Sequence, residues 1–286
     1  MRLLSILLLL FISTALTAQK TTPNRTFDLK DALEQKLISL DIEGIGGHQG
    51  ESLKLLIKNI AGRYIRVRVP LGQLMEPSDS ALQTLVVAEE QLVSVNSKTE
   101  KEVRLKTFCT QSGDISPQAG SGFAVGSLAA TQLCSLLKYI ADNNKTEDYD
   151  AQSAVWCVMN KGRGLGGISD RTLAKFTADL LGKELPGYKI RYETVEEVPG
   201  RRAELGKAMV VEGNFRYYLE KDEKTVMVLL DGEGKLIKQI SKEQVMVAGE
   251  HRSSMRLEVY NLDPGKYIVR MQTKAGKVIK DMEVEF

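Results

Sequence analysis

The sequence predicts a mainly-β fold with a helical insert, and three observations predict it. Apolar and polar residues alternate at the strand period between about residues 32 and 109, change to the helical period through 127–183, and return to the strand period from 210 to 286. Breaker pairs and small-residue runs fall where the period changes, at 117–122 and 186–202. The expected layout is a signal peptide at 1–18, a β-sandwich with a helical subdomain at 26–185, a linker at 186–209 and a second small sandwich at 210–286.

The elements follow in chain order. Ile38, Leu40 and Ile42 share one face, Leu53, Leu55 and Ile57 another, and Ile65, Val67 and Val69 a third, with turns at Gly46-Gly47 and Ala61-Gly62. Runs at 85–88, 92–95 and 103–108 repeat the period, and six or seven short strands at this spacing predict an antiparallel N-terminal β-sandwich. Leu128, Leu133, Leu137 and Ile140 then fall on one helical face, as do Ala151, Ala154, Val155 and Val158, and Leu173, Phe176 and Leu180. These form a three-helix middle segment, with N-cap signals at Thr146 and Ser169. Strands return at 215–219, 225–230, 236–240, 255–259, 267–271 and 278–286, with hairpin turns at 231–234 and 274–277.

The first eighteen residues hold one basic residue, Arg2, an apolar run from Leu3 to Leu16, and small residues at Thr17 and Ala18. That is the pattern of a secretory signal peptide cut after Ala18, and the run is too short to span a bilayer. The mature chain is expected outside the cytoplasm, in the periplasm, at the cell surface or in the medium. Without the leader, 38 basic residues face 37 acidic ones, a balance that excludes a basic nucleic-acid binder.

Motifs for catalysis are sparse. The run from Lys161 to Gly167 is glycine-rich but lacks the Lys-Ser/Thr ending of a phosphate loop and follows a helix, so it reads as a helix–helix connection. The segment 44–50 with His48 fails in the same way. His48 and His251 are the only histidines, and neither stands near a cysteine at metal-ligand spacing. No metal, no cofactor and no enzymatic activity are expected; the rival enzyme class is a hydrolase using Cys109, which would need a base such as His48 beside the sulfur.

Phe108-Cys109 at the end of the first sandwich, with Gln152-Ser153-Ala154-Val155-Trp156 on a helix, resembles the thioester domains of bacterial surface adhesins. Those domains pair a strand cysteine with the glutamine of a TQxA(I/V)W-like helix; here alanine stands at 151 in place of the threonine. The resemblance implies that Cys109 displaces ammonia from Gln152, giving a buried acyl group that an amine on a protein or glycan ligand can attack. In an oxidising compartment two of the three cysteines are expected to pair, and Cys134 with Cys157 is the candidate disulfide. Cys109 is left in a thioester, in a disulfide or as a thiol.

Residues 215–286, with "VMVLLDGEGKLIKQI" and "LEVYNLDPGKYIVRM", are similar to the Ig-like fold of flagellar hook-capping proteins and of type IX secretion C-terminal sorting domains. The resemblance implies a C-terminal Ig-like β-sandwich and a partner in the secretion machinery. No Asn-Pro opens the domain, and the ending "KDMEVEF" is more acidic than the usual finish. The function expected is an exported envelope or extracellular binding and adhesion protein, with a non-catalytic structural envelope protein as the alternative.

Overall fold

The computed structural model describes residues 25–47, 49–193, 198–202 and 206–286. The predicted signal peptide and His48 lie outside the described residues, as does part of the predicted linker. The first half runs β1 (Thr26–Asp28), α1 (Leu29–Glu34), β2 (Ile38–Gly44), β3 (Gln49–Asn59), β4 (Ile65–Val69), β5 (Gln73–Pro77), β6 (Leu85–Val87), β7 (Gln91–Val95), β8 (Glu100–Cys109), β9 (Phe123–Leu128), α2 (Thr131–Asp142), α3 (Tyr149–Met159) and α4 (Arg171–Leu180).

Three layers result. A six-stranded sheet of order β2-β3-β8-β6-β5-β9 faces a three-stranded sheet of order β1-β4-β7. Leu53, Leu55, Ile57, Val67, Val93 and Leu105 fill the space between them, each less than 5% exposed. The other face of the large sheet carries α2, α3 and α4, with Val86, Ala88 and Phe108 packed against Leu136, Leu137, Val155 and Leu173. Because β6 is covered on both faces, all three of its residues are buried, and a continuous apolar run replaces alternation there.

The mainly-β fold with three helices in the middle matches the prediction, with local differences. Residues 29–34 form a helix, which overruns the start of the strand pattern expected from about residue 32, and bury Leu29 and Ala32 under the sandwich. Pairing is antiparallel except at β1, which runs parallel to β4 and is held by Arg68 Nε and Nη2 donating to the Asp28 carboxylate. The chain adds β9 on β5 before entering α2, a strand the early helical pattern hid. The N-caps of α3 and α4 are Asp148 and Asp170, two residues after the expected Thr146 and one after the expected Ser169; Asp170 accepts from the backbone of Thr172 and Leu173.

The second half runs β10 (Tyr188–Tyr192), β11 (Ala208–Leu219), β12 (Glu223–Asp231), β13 (Leu236–Gln239), β14 (Gln244–Met246), β15 (Gly249–Glu258), β16 (Lys266–Thr273) and β17 (Val278–Glu285). Sheets β10-β11-β15 and β13-β12-β16-β17, with β14 also on β12, enclose Val211, Phe215, Leu229, Leu257 and Val269. Here the predicted linker needs correction: β10 lies inside 186–209 and pairs antiparallel with β11 from Tyr188↔Gly213 onward.

The junction is also docked onto the first half. Ser116 N–H donates to Arg201 O at 2.8 Å, Gly200 N–H to Ser116 Oγ at 3.1 Å, and Arg171 Nη2 to Pro186 O at 3.0 Å. Two glycines of the glycine-rich run are required by this contact, while Gly162 and Gly164 take positive φ. A Cβ on Gly166 would stand 2.6 Å from the Tyr188 ring, and one on Gly167 would stand 2.6 Å from the Tyr192 ring. Glycine lets the tyrosines of β10 lie directly on the loop. Gly166→Ala and Gly167→Ala are expected to cost about 1–3 kcal/mol through overpacking. They should also raise the rate of tryptic cleavage within residues 186–208 several-fold; unchanged cleavage would show that this contact does not set the docking.

Candidate functional site

Cys109 ends β8, and its backbone N–H and C=O point to the side from which β3 has departed. On the opposite side β6 pairs Leu85 with Cys109 and accepts the Thr110 N–H at Thr84 O. The last residue of β8 facing a β3 partner is Phe108, opposite Gln49. Cys109 therefore has a donor and an acceptor buried with no strand to pair them, a situation that costs roughly 1–3 kcal/mol per group.

The Gln152 side chain of α3 fills that place. Cys109 N–H donates to Gln152 Oε1 at 2.9 Å, and Gln152 Nε2 donates to Cys109 O at 2.9 Å. The side-chain amide thus mimics one residue of a neighbouring strand. Both partners are sealed from water, Cys109 at 0% and Gln152 at 1% exposure. The small side chains Ala151, Ser153 and Ala154 let α3 lie close on the sheet, and every residue from Ala151 to Cys157 is buried. Asp150 fixes the start of the helix by accepting the backbone N–H groups of Ser169 and Asp170 at 3.0 and 2.7 Å.

This arrangement has a chemical direction. The Cys109 N–H polarises the Gln152 amide at its oxygen and the Cys109 carbonyl polarises it at its nitrogen, so the two bonds reinforce each other and hold the amide plane fixed at the end of β8. The sulfur sits on the same residue that holds the amide. Trp156, one helical turn beyond Gln152, packs in the same apolar cluster as Cys109 and Phe123, and its buried indole N–H has no hydrogen-bond partner.

A cavity of about 450 Å³ opens along α3 at Ser153, Trp156 and Cys157, between the two halves of the chain. Ser112, Ser153, Trp156 and Asn160 line it from the first half, Tyr192 and Phe286 from the second. Pattern alone did not reveal it, because its walls come from segments far apart in sequence.

The other expected site residues are placed differently. None of the three cysteines is disulfide-bonded, which corrects the expected Cys134–Cys157 bridge. Cys134 faces the sheet edge, its thiol directed to Ala129 O at 3.4 Å and seated on Gly72, where a Cβ would stand 2.6 Å from the sulfur. Cys157 lies in the helical core and lines the cavity. Burial pushes the Cys134 thiol up, and it pushes Cys157 up to about 12 against the opposing charge of Lys183. His251, for its part, contacts Val247 O and stacks on Tyr217 in the second half, engaged away from Cys109. Among the described residues no cluster of three or more His, Cys, Asp or Glu could hold a metal.

Two outcomes are expected. At pH 8 about one Cys157 in ten thousand is thiolate, so native protein should label at Cys157 far more slowly with iodoacetamide than urea-unfolded protein. Gln152→Ala should lower stability by roughly 3–5 kcal/mol in urea denaturation, since it opens a cavity and strands the Cys109 N–H and C=O together.

No family model matches the chain, and no curated protein matches it. Among solved structures, a β-glucosidase from Kluyveromyces marxianus aligns at 10% identity over 82% of this chain and 44% of its own, with a TM-score of 0.19. The chain thus spans less than half the length of that enzyme, and a likeness this slight carries no argument about fold or activity.

Proposed function

We propose that this is an exported binding and adhesion protein of the cell envelope or extracellular space, in which Cys109 and Gln152 form an internal thioester for covalent attachment. The observation that carries the reading is the paired hydrogen bonding of a buried glutamine amide to the backbone of the one cysteine that the thioester-domain resemblance singles out. In the step proposed, Sγ attacks the Gln152 side-chain carbon, the C–N bond breaks, and the thiol proton leaves with the nitrogen as ammonia. The product needs no metal, oxidant or cofactor. An amine on a protein or glycan ligand later takes the acyl group and returns the thiol. Burial protects the acyl group from water until then.

The intact mass of the mature protein, purified without reductant, tests this reading. A thioester lowers the mass by about 17 Da, whereas a disulfide would remove only about 2 Da, and methylamine should add to the thioester form alone. Cys109→Ala should abolish both the deficit and the adduct. A full mass with no adduct would leave the amide as a sheet-edge clamp and the protein as a non-covalent binding module or a structural envelope component. The same spectrum tests export, since the mature chain is expected to begin near Gln19.

For the C-terminal sandwich, the proposed role is surface addressing through type IX secretion machinery. Deleting residues 210–286 should then leave the protein in the periplasm; an unchanged surface location would end that part of the reading.

A further inference from the structure

An open sheet edge is a template for another strand, and most edges in this molecule are short, closed or charged against pairing. Strands β1, β7, β13 and β14 have at most five residues each. β2 meets the start of β9, where Gly44 N–H donates to Ser121 O at 2.7 Å and Gly120 N–H to Gly44 O at 3.0 Å. The tyrosines of β10 lie on the glycine loop. β17 shifts register against β16 between Met271 and Gln272 and carries Asp281, Glu283 and Glu285 against Lys280, so a second β17 beside it would be repelled.

Strand β15 has none of these protections. It runs ten residues without proline or lysine and pairs with β11 in one unbroken register from Val210↔Glu258 to Leu219↔Gly249. Its other side has no strand among the described residues. Glu250, Arg252, Ser254, Arg256 and Glu258 all point outward and are exposed, two acids and two arginines that cancel. Arg256 is paired with Glu212, whereas the side chains of Glu250, Arg252 and Glu258 have no ion-pair partner among the described residues.

This charge pattern selects a register for a second copy. Antiparallel strands centred on Ser254 would set Glu250 on Glu258 and Arg252 on Arg256, like on like. Centring on Ser253 keeps every side chain on its own face and sets Glu250 on Arg256 twice, with Gly249 through Leu257 paired. Centring on Met255 also joins opposite charges, Arg252 and Glu258, but shortens the paired stretch to those bounds.

We propose that two copies of this chain join through β15, antiparallel about a two-fold axis at Ser253, into one sheet of order β10-β11-β15-β15-β11-β10. β15 lies on the far side of β11 from β10, the strand docked on the first half, so the first halves stand at the outer ends. The exposed Val247, whose carbonyl contacts His251 Nε2, adds apolar surface where each β15 begins. Pairing uses up the long open edge, so assembly stops at two. A dimer presents two first halves to one ligand-bearing surface and gains avidity from the linkage alone.

Sedimentation velocity of the full-length mature protein, over about a hundredfold range of concentration, is expected to show a reversible monomer–dimer equilibrium. Glu250→Arg and Arg256→Glu should each weaken it about tenfold or more, because each homodimer then opposes like charges. Mixed together, the two variants should pair at near wild-type affinity, since arginine then faces glutamate at both contacts. Circular dichroism checks that both fold. Should either misfold, cysteine substitution reads the register without charge. At the axis the Cα atoms of opposed residues stand ~4.5–5.5 Å apart, within disulfide reach. Mild oxidation should therefore link Ser253→Cys into a covalent dimer and leave Ser254→Cys, which faces Arg252, unlinked. A monomer at every concentration, assemblies larger than two, folded charge variants that dimerise like the wild type or fail to pair when mixed, or linkage at 254 in preference to 253 would overturn the proposal.

Discussion

One helix laid flat on one sheet governs the first half of this molecule. Helix α3 is covered by β8 beneath it and by α2 and α4 at its sides, and its seven buried residues leave no freedom to rotate or slide. That fit depends on small side chains at 151, 153 and 154, because a bulkier surface would lift the axis and pull Gln152 off the end of β8. The helix also supplies Trp156 to the sandwich core and Asn160 to the cavity wall. Site geometry is therefore a by-product of close packing, not of a dedicated loop.

The second constraint is the unequal length of neighbouring strands. Where β3 ends and β8 continues, backbone groups are left in a dry place, and something must pair with them. A long amide reaching from a helix is well suited, since it offers one donor and one acceptor at the spacing of a peptide unit. The same need is met elsewhere by other amides: Gln73 Nε2 donates to Gly126 O, and Asn59 Nδ2 to Val95 O. Glutamine and asparagine at strand ends are thus a recurrent structural device in this chain. At Cys109 the device joins a side-chain amide to the main chain of a buried cysteine.

Much of the architecture was legible in the sequence because burial and periodicity coincide there. The run at 85–88 is uniformly apolar because β6 is covered twice, and Leu53, Leu55 and Ile57 alternate because β3 has a single dry side chain face toward the smaller sheet. What escaped had weak local signals. Strand β10 is five residues long and lies between Pro186-Gly187 and a second breaker, so its pairing with β11 could be recognised only through the partner. The glycine run was read correctly as a connection, but the reason for Gly166 and Gly167, two tyrosine rings from beyond residue 187, is a long-range contact. Cys109 and Gln152 are 43 residues apart, and no period links them; the family resemblance alone brought them together. The cysteine pairing was inferred from compartment, a property of the cell, and the fold places Cys134 and Cys157 in different surroundings.

Gln152 grips Cys109 by its main-chain N–H and C=O. Any residue but proline at 109 presents the same N–H and C=O, so these two hydrogen bonds do not require sulfur. The packing role of the amide is therefore separable from the chemistry proposed for it. A substitution of small volume at 109 would remove the thiol and keep both main-chain bonds to the amide. Chemically silent relatives with the amide retained and the cysteine replaced are what such a division of labour would leave behind.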